Sequence, residues 1–252
     1  MKTENKRGLA VVIMAAGKGT RMKDPSKAKV MYELLGKPMI HYVVELAYNL
    51  KADRVVVIVG YQSEVVKSHV CKSHPNIEIA LQAEQLGTGH AVMQTETALK
   101  DFNGDVIVLS GDVPLLTSKS MQQLIKHHFQ TYASATILTA DIDDPTGYGR
   151  IIRNNDGSVK KIIEQKDATE EERQVKEINS GIYIFDKQKL FDGLQHITPH
   201  NIQKEYYLTD VFEYFWKHNW RVSALKATYV DEIRGINTVA QLKEAETIQL
   251  VR

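Results

Sequence analysis

The sequence predicts an α/β protein built on a doubly wound, mostly parallel sheet. Runs of apolar and β-branched residues recur, and they are continuous rather than alternating, which is typical of strands covered on both faces. Helix-period segments separate these runs over the first half of the chain, and this alternation predicts right-handed crossovers. The predicted strands are residues 9–16, 54–60, 77–82, 105–110, 133–139 and 178–185.

Three segments carry apolar residues at the spacing of an amphipathic helix. The first follows Pro38, and the others cover residues 88–99 and 118–129. Thr117 or Ser118 can cap the first turn of the last segment. A helix that follows each strand is the arrangement a doubly wound sheet requires.

The pattern changes after residue 140. Residues 141–149 are rich in Asp, Pro and Gly, and short strands are predicted at 149–153 and 159–164 with an Asn-Asp-Gly turn between them, as in a β-hairpin. Residues 167–177 are charged and are expected to form an exposed helix or loop. We therefore expect a small β-rich lobe that faces the substrate, followed by a single polar helix from Thr238.

Composition excludes several classes of protein. The 252 residues are 43% hydrophobic and 25% charged with a net charge of +1, which excludes disordered, collagen-like and coiled-coil chains and argues against nucleic-acid binding. A single cysteine, Cys71, rules out an intrachain disulfide and a four-cysteine zinc site.

The apolar run at residues 9–16 follows Lys2, Lys6 and Arg7, which imitates a secretory signal. Cleavage after Ala16 would sever the glycine loop that follows, so we interpret the run as a buried first strand. It is also far shorter than the ~20 residues that a membrane span needs. These features predict a cytoplasmic protein with no membrane partner.

A glycine loop follows the first strand. Gly17 and Gly19 offer backbone N–H groups that can hold an anion, and Lys18 and Arg21 add positive charge. The spacing is not that of a Walker loop, and Met22 stands where a dinucleotide fingerprint needs a third small residue. Phosphate binding is the favoured interpretation, and a glycine turn with two solvated cations is the alternative.

Five motifs carry a family resemblance. They are AAGKGTRM at 15–22, GKPM at 36–39, QAEQLGTGHA at 82–91, DPTGYGRI at 144–151 and EINSG at 177–181. In this order they resemble the sugar-1-phosphate nucleotidyltransferases. Together they resemble the uridylyltransferase (pyrophosphorylase) half of the bacterial bifunctional N-acetylglucosamine-1-phosphate uridyltransferase/glucosamine-1-phosphate acetyltransferases.

The resemblance extends from about residue 8 to about residue 240 and implies a Rossmann-like nucleotidyltransferase domain over residues 1–237. The sugar-facing lobe would lie at about 141–230, and 238–252 resembles the start of a linker helix. No hexapeptide repeat follows, so neither a β-helix acetyltransferase domain nor a β-helix trimer is expected. The implied reaction joins UTP and N-acetylglucosamine-1-phosphate.

The resemblance also implies the catalytic residues Arg21, Lys29 and Asp112. Asp112 and Asn237 would bind Mg²⁺, or Mn²⁺ in its place. By local reasoning Asp112 follows a predicted strand, where open α/β sheets bind ligands, although an Asp turn before the next proline is the alternative. Ala28 stands where the family usually has proline before the lysine.

The substrate contacts implied by the resemblance divide into three groups. Gln82, Gly87 and Thr88 would bind uracil. The sugar would be bound by Gly149, Glu164, Asn179, Tyr207 and Thr209. Lys29 would neutralise the phosphates, and Asp112 and Asn237 would bind the metal. The full set is Met14, Ala15, Ala16, Gly17, Gly19, Lys29, Gln82, Gly87, Thr88, Ser110, Gly111, Asp112, Gly149, Glu164, Asn179, Tyr207, Thr209 and Asn237.

Three alternatives stay open. The first is the same reaction with glucose-1-phosphate or another nucleotide. The second is a non-catalytic module that binds nucleotide-sugars, and the third is a nicotinamide-dependent oxidoreductase. The nine histidines are scattered, and His90 is interpreted as structural rather than catalytic. The aromatic residues of 206–220 are expected to pack in the core.

Overall fold

The computed structural model describes residues 7–22, 24 and 26–251, so Lys2 and Lys6 lie outside the described residues. The strands are β1 (Gly8–Ala15), β2 (Glu33–Leu34), β3 (Lys37–Pro38), β4 (Arg54–Val59), β5 (Glu78–Leu81), β6 (Gly104–Ser110), β7 (Ala135–Asp141), β8 (Gly149–Arg153), β9 (Val159–Ile163), β10 (Glu177–Asp186) and β11 (Val222–Lys226). The helices are α1 (Met39–Asn49), α2 (Ser63–Ser73), α3 (Thr88–Met93), α4 (Ser118–Gln130), α5 (Glu170–Arg173), α6 (Lys187–Leu194), α7 (Val211–Lys217) and α8 (Val239–Leu250).

Strand β1 lies inside the main sheet and pairs in parallel with β4 on one side and β6 on the other. The order is β11-β7-β10-β6-β1-β4-β5, with β8 paired to β10 and β9 to β8. The predicted doubly wound, mostly parallel sheet is confirmed. Strand β10, however, runs antiparallel to β6 and β7. Its direction could not be predicted, because burial on both faces produces the same apolar run in either direction.

Two helical layers cover the two faces of the sheet, and side chains of β1 pack against both layers. Val11 and Ile13 pack against the layer that contains α1, α2 and α4, whereas Ala10 and Val12 pack against the opposite layer. This alternation explains why the first strand is apolar at every position. Phe212, Phe215 and other aromatic residues of 206–220 lie in the second layer, so the expected core role is confirmed.

Helix α3 is shorter than predicted. The apolar spacing predicts a helix over 88–99, but α3 ends at Met93 and turns follow it. Thr95 is fully buried, and its hydroxyl donates to the Val92 carbonyl at 2.7 Å. This bond and the short i→i−3 backbone bonds that surround it replace the α-helical pattern.

Residues 141–230, where we expect the lobe, contain the predicted hairpin as β8 and β9, and α5 lies within the charged segment 167–177. Thr117 caps α4 as expected, because its side chain accepts a hydrogen bond from the Ser120 N–H. Thr238 caps α8 in the same way. Helices α2, α6 and α7 and strand β11 were not predicted. Over the described ranges, none of the helices has both the length and the apolarity needed to cross a bilayer.

Candidate active site

Four polar side chains converge where β1 and β6 end. Lys29 Nζ donates to Asn237 Oδ1 at 2.6 Å and also to Asp112 Oδ2. Arg21 Nη2 donates to the same Asn237 oxygen at 2.7 Å. The Lys29 and Asp112 side chains are each only 14% exposed. The fold therefore unites the three residues expected to be catalytic with the second residue expected to bind metal.

The segment before α8 brings Asn237 to this point. The Ile236 N–H donates to the Asp112 carbonyl at 2.9 Å, which pins the segment against the end of β6. Asn237 Nδ2 donates to the Gly235 carbonyl at 3.0 Å, so its Oδ1 faces the two cations. A Cβ on Gly235 would lie 3.4 Å from Asp112 Oδ2, in ordinary contact. The backbone of residues 235–237 thus closes this side of the site.

The oxygen atoms of Asp112 and Asn237 already hold a cation, the Lys29 ammonium, between them. One carboxylate and one amide oxygen, completed by water and phosphate oxygens, is a donor set that suits Mg²⁺. Across residues 7–22, 24 and 26–251, no group of three or more His, Cys, Asp and Glu side chains could hold a metal. The residues present therefore fit a divalent ion that shares its coordination with substrate.

The glycine loop gives Lys29 its path into the site. Gly19 has a φ of +66°, and a Cβ at this position would collide with Lys29 Cβ. Only glycine allows the loop to pass this close to the lysine stem. Met22, which follows the loop, is buried among Leu34, Met39 and other apolar side chains. Its burial agrees with the exclusion of a dinucleotide fingerprint, which needs a small residue there.

A cavity of about 260 Å³ opens beside these charged groups. It contains most of the positions expected near the nucleotide and four that were not predicted: Val30, Gln85, Ala91 and Glu205. The expected residues among its lining are Met14, Ala15, Ala16, Gly17, Lys29, Gln82, Gly87, Thr88, Ser110 and Asp112. Gly111 lies behind this lining, and its N–H donates to the Met14 carbonyl at 2.9 Å.

Gln82 closes one end of the cavity. Its Nε2 donates to the Gly87 carbonyl at 3.0 Å and lies 3.2 Å from His90 Nδ1. With the amide hydrogens used inside the protein, Oε1 is the atom available to accept a hydrogen bond from a ligand. His90 thus orients Gln82, which agrees with the structural role expected for it.

Gly87 joins this end of the cavity to the lobe. Its φ is +113°, and a Cβ there would lie 2.5 Å from the Tyr206 carbonyl oxygen. The Tyr206 N–H donates to Leu86 and its carbonyl accepts from Gly89, both at 2.8 Å. Thr88 Oγ1 accepts from the Leu208 N–H at 3.0 Å. Residues 86–89 and 206–208 therefore run side by side.

The residues expected to bind sugar lie within residues 141–230, where the lobe is predicted. Thr209 Oγ1 donates to Glu164 Oε1 at 3.1 Å. A Cβ on Gly149 would lie 3.4 Å from Glu164 Oε2 and 3.5 Å from Asn179 Cβ, so Gly149 lies between these two side chains. Burial raises the pKa of the Glu164 carboxyl, and the Thr209 hydrogen bond partly opposes this effect. The Glu164 carboxyl is a partly buried hydrogen-bond acceptor.

Two tyrosine hydroxyls form hydrogen bonds with side chains around the residues expected to bind sugar. Asn179 Nδ2 donates to the buried Tyr183 hydroxyl at 2.7 Å. The Tyr207 hydroxyl donates to Asp167 Oδ2 at 3.2 Å. Burial raises the pKa of both phenols. Tyr207 was expected to touch the sugar, but its hydroxyl is bonded to the protein in this structure.

Sequence reasoning missed Gln85, Glu205 and Tyr148. Gln85 lies within the motif at 82–91, and its Nε2 donates to the Gln82 carbonyl at 3.2 Å. Glu205 lies directly before Tyr206, whose backbone pairs with the Gly87 segment. Tyr148 is half-buried near Asp112 and Arg21, and burial raises the pKa of its hydroxyl. Gln85 and Tyr148 lie within the motifs at 82–91 and 144–151, so the sequence gave a signal for both, whereas the place of Glu205 depends on tertiary contacts.

An open α/β sheet with a glycine loop, two cations and an oxygen pair at the carboxyl ends of its strands is typical of proteins that bind phosphorylated ligands. More specifically, the chain belongs to the nucleotidyl transferase family, whose model matches residues 10–229.

Two relatives illustrate the similarity. The chain is 48% identical over 237 residues to the bifunctional protein GlmU of Geobacillus thermodenitrificans. The alignment covers 94% of this chain and 51% of the relative. It is also 48% identical over 240 residues to the bifunctional protein GlmU of Acetivibrio thermocellus. That alignment covers 95% of this chain and 51% of the relative. The chain spans about half the length of the curated relatives it matches.

A solved structure of UDP-glucose pyrophosphorylase complexed with UDP-glucose has the same fold. The two chains superpose with a TM-score of 0.77 over 97% of this chain and 99% of that chain, at 19% identity. The two proteins therefore share the mixed α/β architecture with its mostly parallel sheet.

Proposed function

We propose that the protein transfers a uridylyl group from UTP to N-acetylglucosamine-1-phosphate and releases pyrophosphate. The observation that carries this proposal is the convergence of Lys29, Arg21, Asp112 and Asn237 beside the cavity. Similarity to bifunctional GlmU proteins over 94% of the chain supports the choice of nucleotide and sugar.

The reaction needs no protein nucleophile. An oxygen of the sugar phosphate attacks the α-phosphorus of UTP, and the bond from that phosphorus to the bridging oxygen breaks with its electron pair left on pyrophosphate. The attacking oxygen is already anionic, so no base is required. Positioning and positive charge supply the catalysis.

Lys29 and Arg21 provide that charge in our proposal. Lys29 would act as a point charge on the α-phosphate and the sugar phosphate, while the planar guanidinium of Arg21 would bind the leaving pyrophosphate. Both cations share the Asn237 oxygen, so they lie on the same side of the cavity. The glycine loop would add backbone N–H groups to the phosphates.

Asp112 and Asn237 would hold Mg²⁺, with Mn²⁺ as the alternative. When bound, the ion neutralises negative charge on the phosphate oxygens during the transfer. Asp112 supplies a carboxylate and Asn237 an amide oxygen, and the backbone of residues 235–237 keeps both in place.

Selection of substrate would occur at the two ends of the site. Gln82 Oε1 would accept the N3–H of uracil, since its amide hydrogens are used by Gly87 and His90. Glu164 and Asn179 would bind the sugar hydroxyls and the N-acetyl group. The cytoplasmic location expected from the sequence stays a prediction.

The test is a pyrophosphate-release assay with a panel of sugars and nucleotides. We expect release with UTP, N-acetylglucosamine-1-phosphate and Mg²⁺ together, and none when any of the three is omitted. Faster release with glucose-1-phosphate or dTTP would replace the proposed substrates. Binding of UDP-sugars by folded protein without pyrophosphate exchange would instead indicate a non-catalytic module, and saturable binding of a nicotinamide cofactor would indicate an oxidoreductase.

A further inference from the structure

Gln62 lies beside the glycine loop, in the short connection between β4 and α2. The Tyr61 N–H donates to the Ala16 carbonyl at 3.0 Å, and a Cβ on Gly60 would lie 2.8 Å from Ala16 Cβ. Gln62 itself adopts the left-handed backbone conformation, with a φ of +51°. Non-glycine residues rarely adopt this conformation, and it is typical of sites where the backbone serves to aim a side chain.

The Gln62 side chain forms hydrogen bonds with the backbone just before Lys29. Its Oε1 accepts from the Ala28 N–H at 2.8 Å, and its Nε2 donates to the Ser26 carbonyl at 2.5 Å. One amide therefore satisfies a donor and an acceptor two residues apart in a segment that lies in no strand or helix. Ala28 is 1% exposed, so loss of its partner would leave a buried N–H without a hydrogen bond.

Lys29 follows this segment directly. A short 3₁₀ turn, Lys29–Met31, begins there, and the Met31 N–H donates to the Ala28 carbonyl at 2.9 Å. The position of Ala28 therefore sets where the Lys29 side chain starts. From that point the side chain passes Gly19 and reaches Asp112 and Asn237.

We propose that Gln62 is a positioning residue for uridylyl transfer, which acts only through Lys29 by holding residues 26–28 in place. This inference rests on the function proposed above. Gln62 is absent from the cavity lining and need not touch substrate. A small displacement of a catalytic group is enough to slow a reaction by one or two orders of magnitude.

Ala28 offers a second way to probe the contact. Its backbone angles, φ −60° and ψ 138°, are those of a proline, but proline has no N–H. The proline Cδ would also occupy the space between the Ala28 nitrogen and Gln62 Oε1. Ala28→Pro should therefore impair the protein when Gln62 is present and should be tolerated better in combination with Gln62→Ala.

The experiment is a double-mutant cycle on pyrophosphate release. We expect Gln62→Ala to lower kcat about tenfold. In a Lys29→Ala background, assayed at higher enzyme concentration, the same substitution should change the residual rate by less than about twofold. Gln123→Ala, which removes an exposed glutamine from α4, is the matched control and should leave kcat unchanged. A further tenfold loss in the Lys29→Ala background would overturn the proposal.

Amide exchange separates this proposal from the proposed function, because it needs no substrate. Exchange at the Ala28 N–H should be slow in the wild-type protein and faster in Gln62→Ala, while exchange in β1 stays the same. Equal protection of Ala28 in both proteins would overturn the positioning role. Wild-type protein that releases no pyrophosphate would instead overturn the proposed function, with the Ala28 protection pattern intact. Should Gln62→Ala fail to fold, pyrophosphate release by Ala28→Pro is compared with release by Ala28→Pro/Gln62→Ala, and a double variant that is no faster than Ala28→Pro alone would overturn the proposal.

Discussion

Lys29 Nζ lies 2.6 Å from Asn237 Oδ1, although 208 residues separate the two in the chain. Lys29 belongs to the first segment after the glycine loop, and Asn237 lies one residue before the cap of α8. The contact means that the segment before the last helix completes the candidate active site. Asp112, which bonds the same lysine, is the third member of this junction.

Asp112→Ala should abolish most of the activity. Removal of the carboxylate takes away the one charged group that would hold the metal, so we expect pyrophosphate release to fall by at least about 100-fold. The urea unfolding curve should stay close to that of wild type. Asp143→Ala, at a fully exposed aspartate, is the control and should keep full activity. Undiminished activity of Asp112→Ala would move the metal site elsewhere.

Glu164→Gln should weaken the sugar end of the site selectively. The substitution keeps the size of the side chain but replaces a charged acceptor next to Thr209. We expect the KM for N-acetylglucosamine-1-phosphate to rise about tenfold, as for loss of one charge-assisted hydrogen bond, and the KM for UTP to change little. Steady-state kinetics with each substrate varied in turn measures both. Glu170→Gln, on exposed α5, should change neither, and an equal rise in both KM values would contradict the assignment.

Gly87→Ala should destabilise the fold. The left-handed φ of +113° is unfavourable for alanine, and the new Cβ would press on the Tyr206 carbonyl. We expect the free energy of unfolding to fall by about 1–3 kcal/mol in urea titrations. Gly17→Ala is the matched control, because a Cβ there meets no heavy atom within 4 Å. The control should stay within about 0.5 kcal/mol of wild type, and equal stability of both variants would refute the argument.

Asp210→Asn should change how stability depends on pH. Burial first, and then the negative charge of Glu213, raises the pKa of the Asp210 carboxyl from its ordinary value of 3.8 to about 7. Because the folded state binds the proton more tightly than the unfolded state, this group favours folding at low pH. That contribution is lost as the pH rises through the interval from 3.8 to about 7.

We therefore expect the free energy of unfolding of the wild-type protein to include a decrease over this interval that Asp210→Asn lacks. Chemical denaturation at about pH 4 and about pH 8 measures the difference for each protein. Asp143→Asn, at the exposed control position, should follow the wild-type curve. An unchanged pH dependence in Asp210→Asn would show that Asp210 titrates normally.

Local signals accounted for much of the fold and part of the site. The continuous apolar runs located β1, β4 and β6 within one residue, and the glycines marked the loop where backbone approaches Lys29. Asp112 could be expected at the edge of the sheet because it directly follows β6. Asn237 had no local signal beyond the family resemblance, since nothing near it in the chain indicates a ligand.

The sequence by itself determined the alternation of strands and helices, the position of the glycine loop and the family, because these depend on residues that are neighbours in the chain. Only the tertiary structure decided the direction of β10, the early end of α3 and the meeting of Lys29, Asp112 and Asn237. Each depends on contacts between distant segments, such as the bond from Ile236 to Asp112. Spacing along the chain carries no information about such contacts until the sheet brings the segments together.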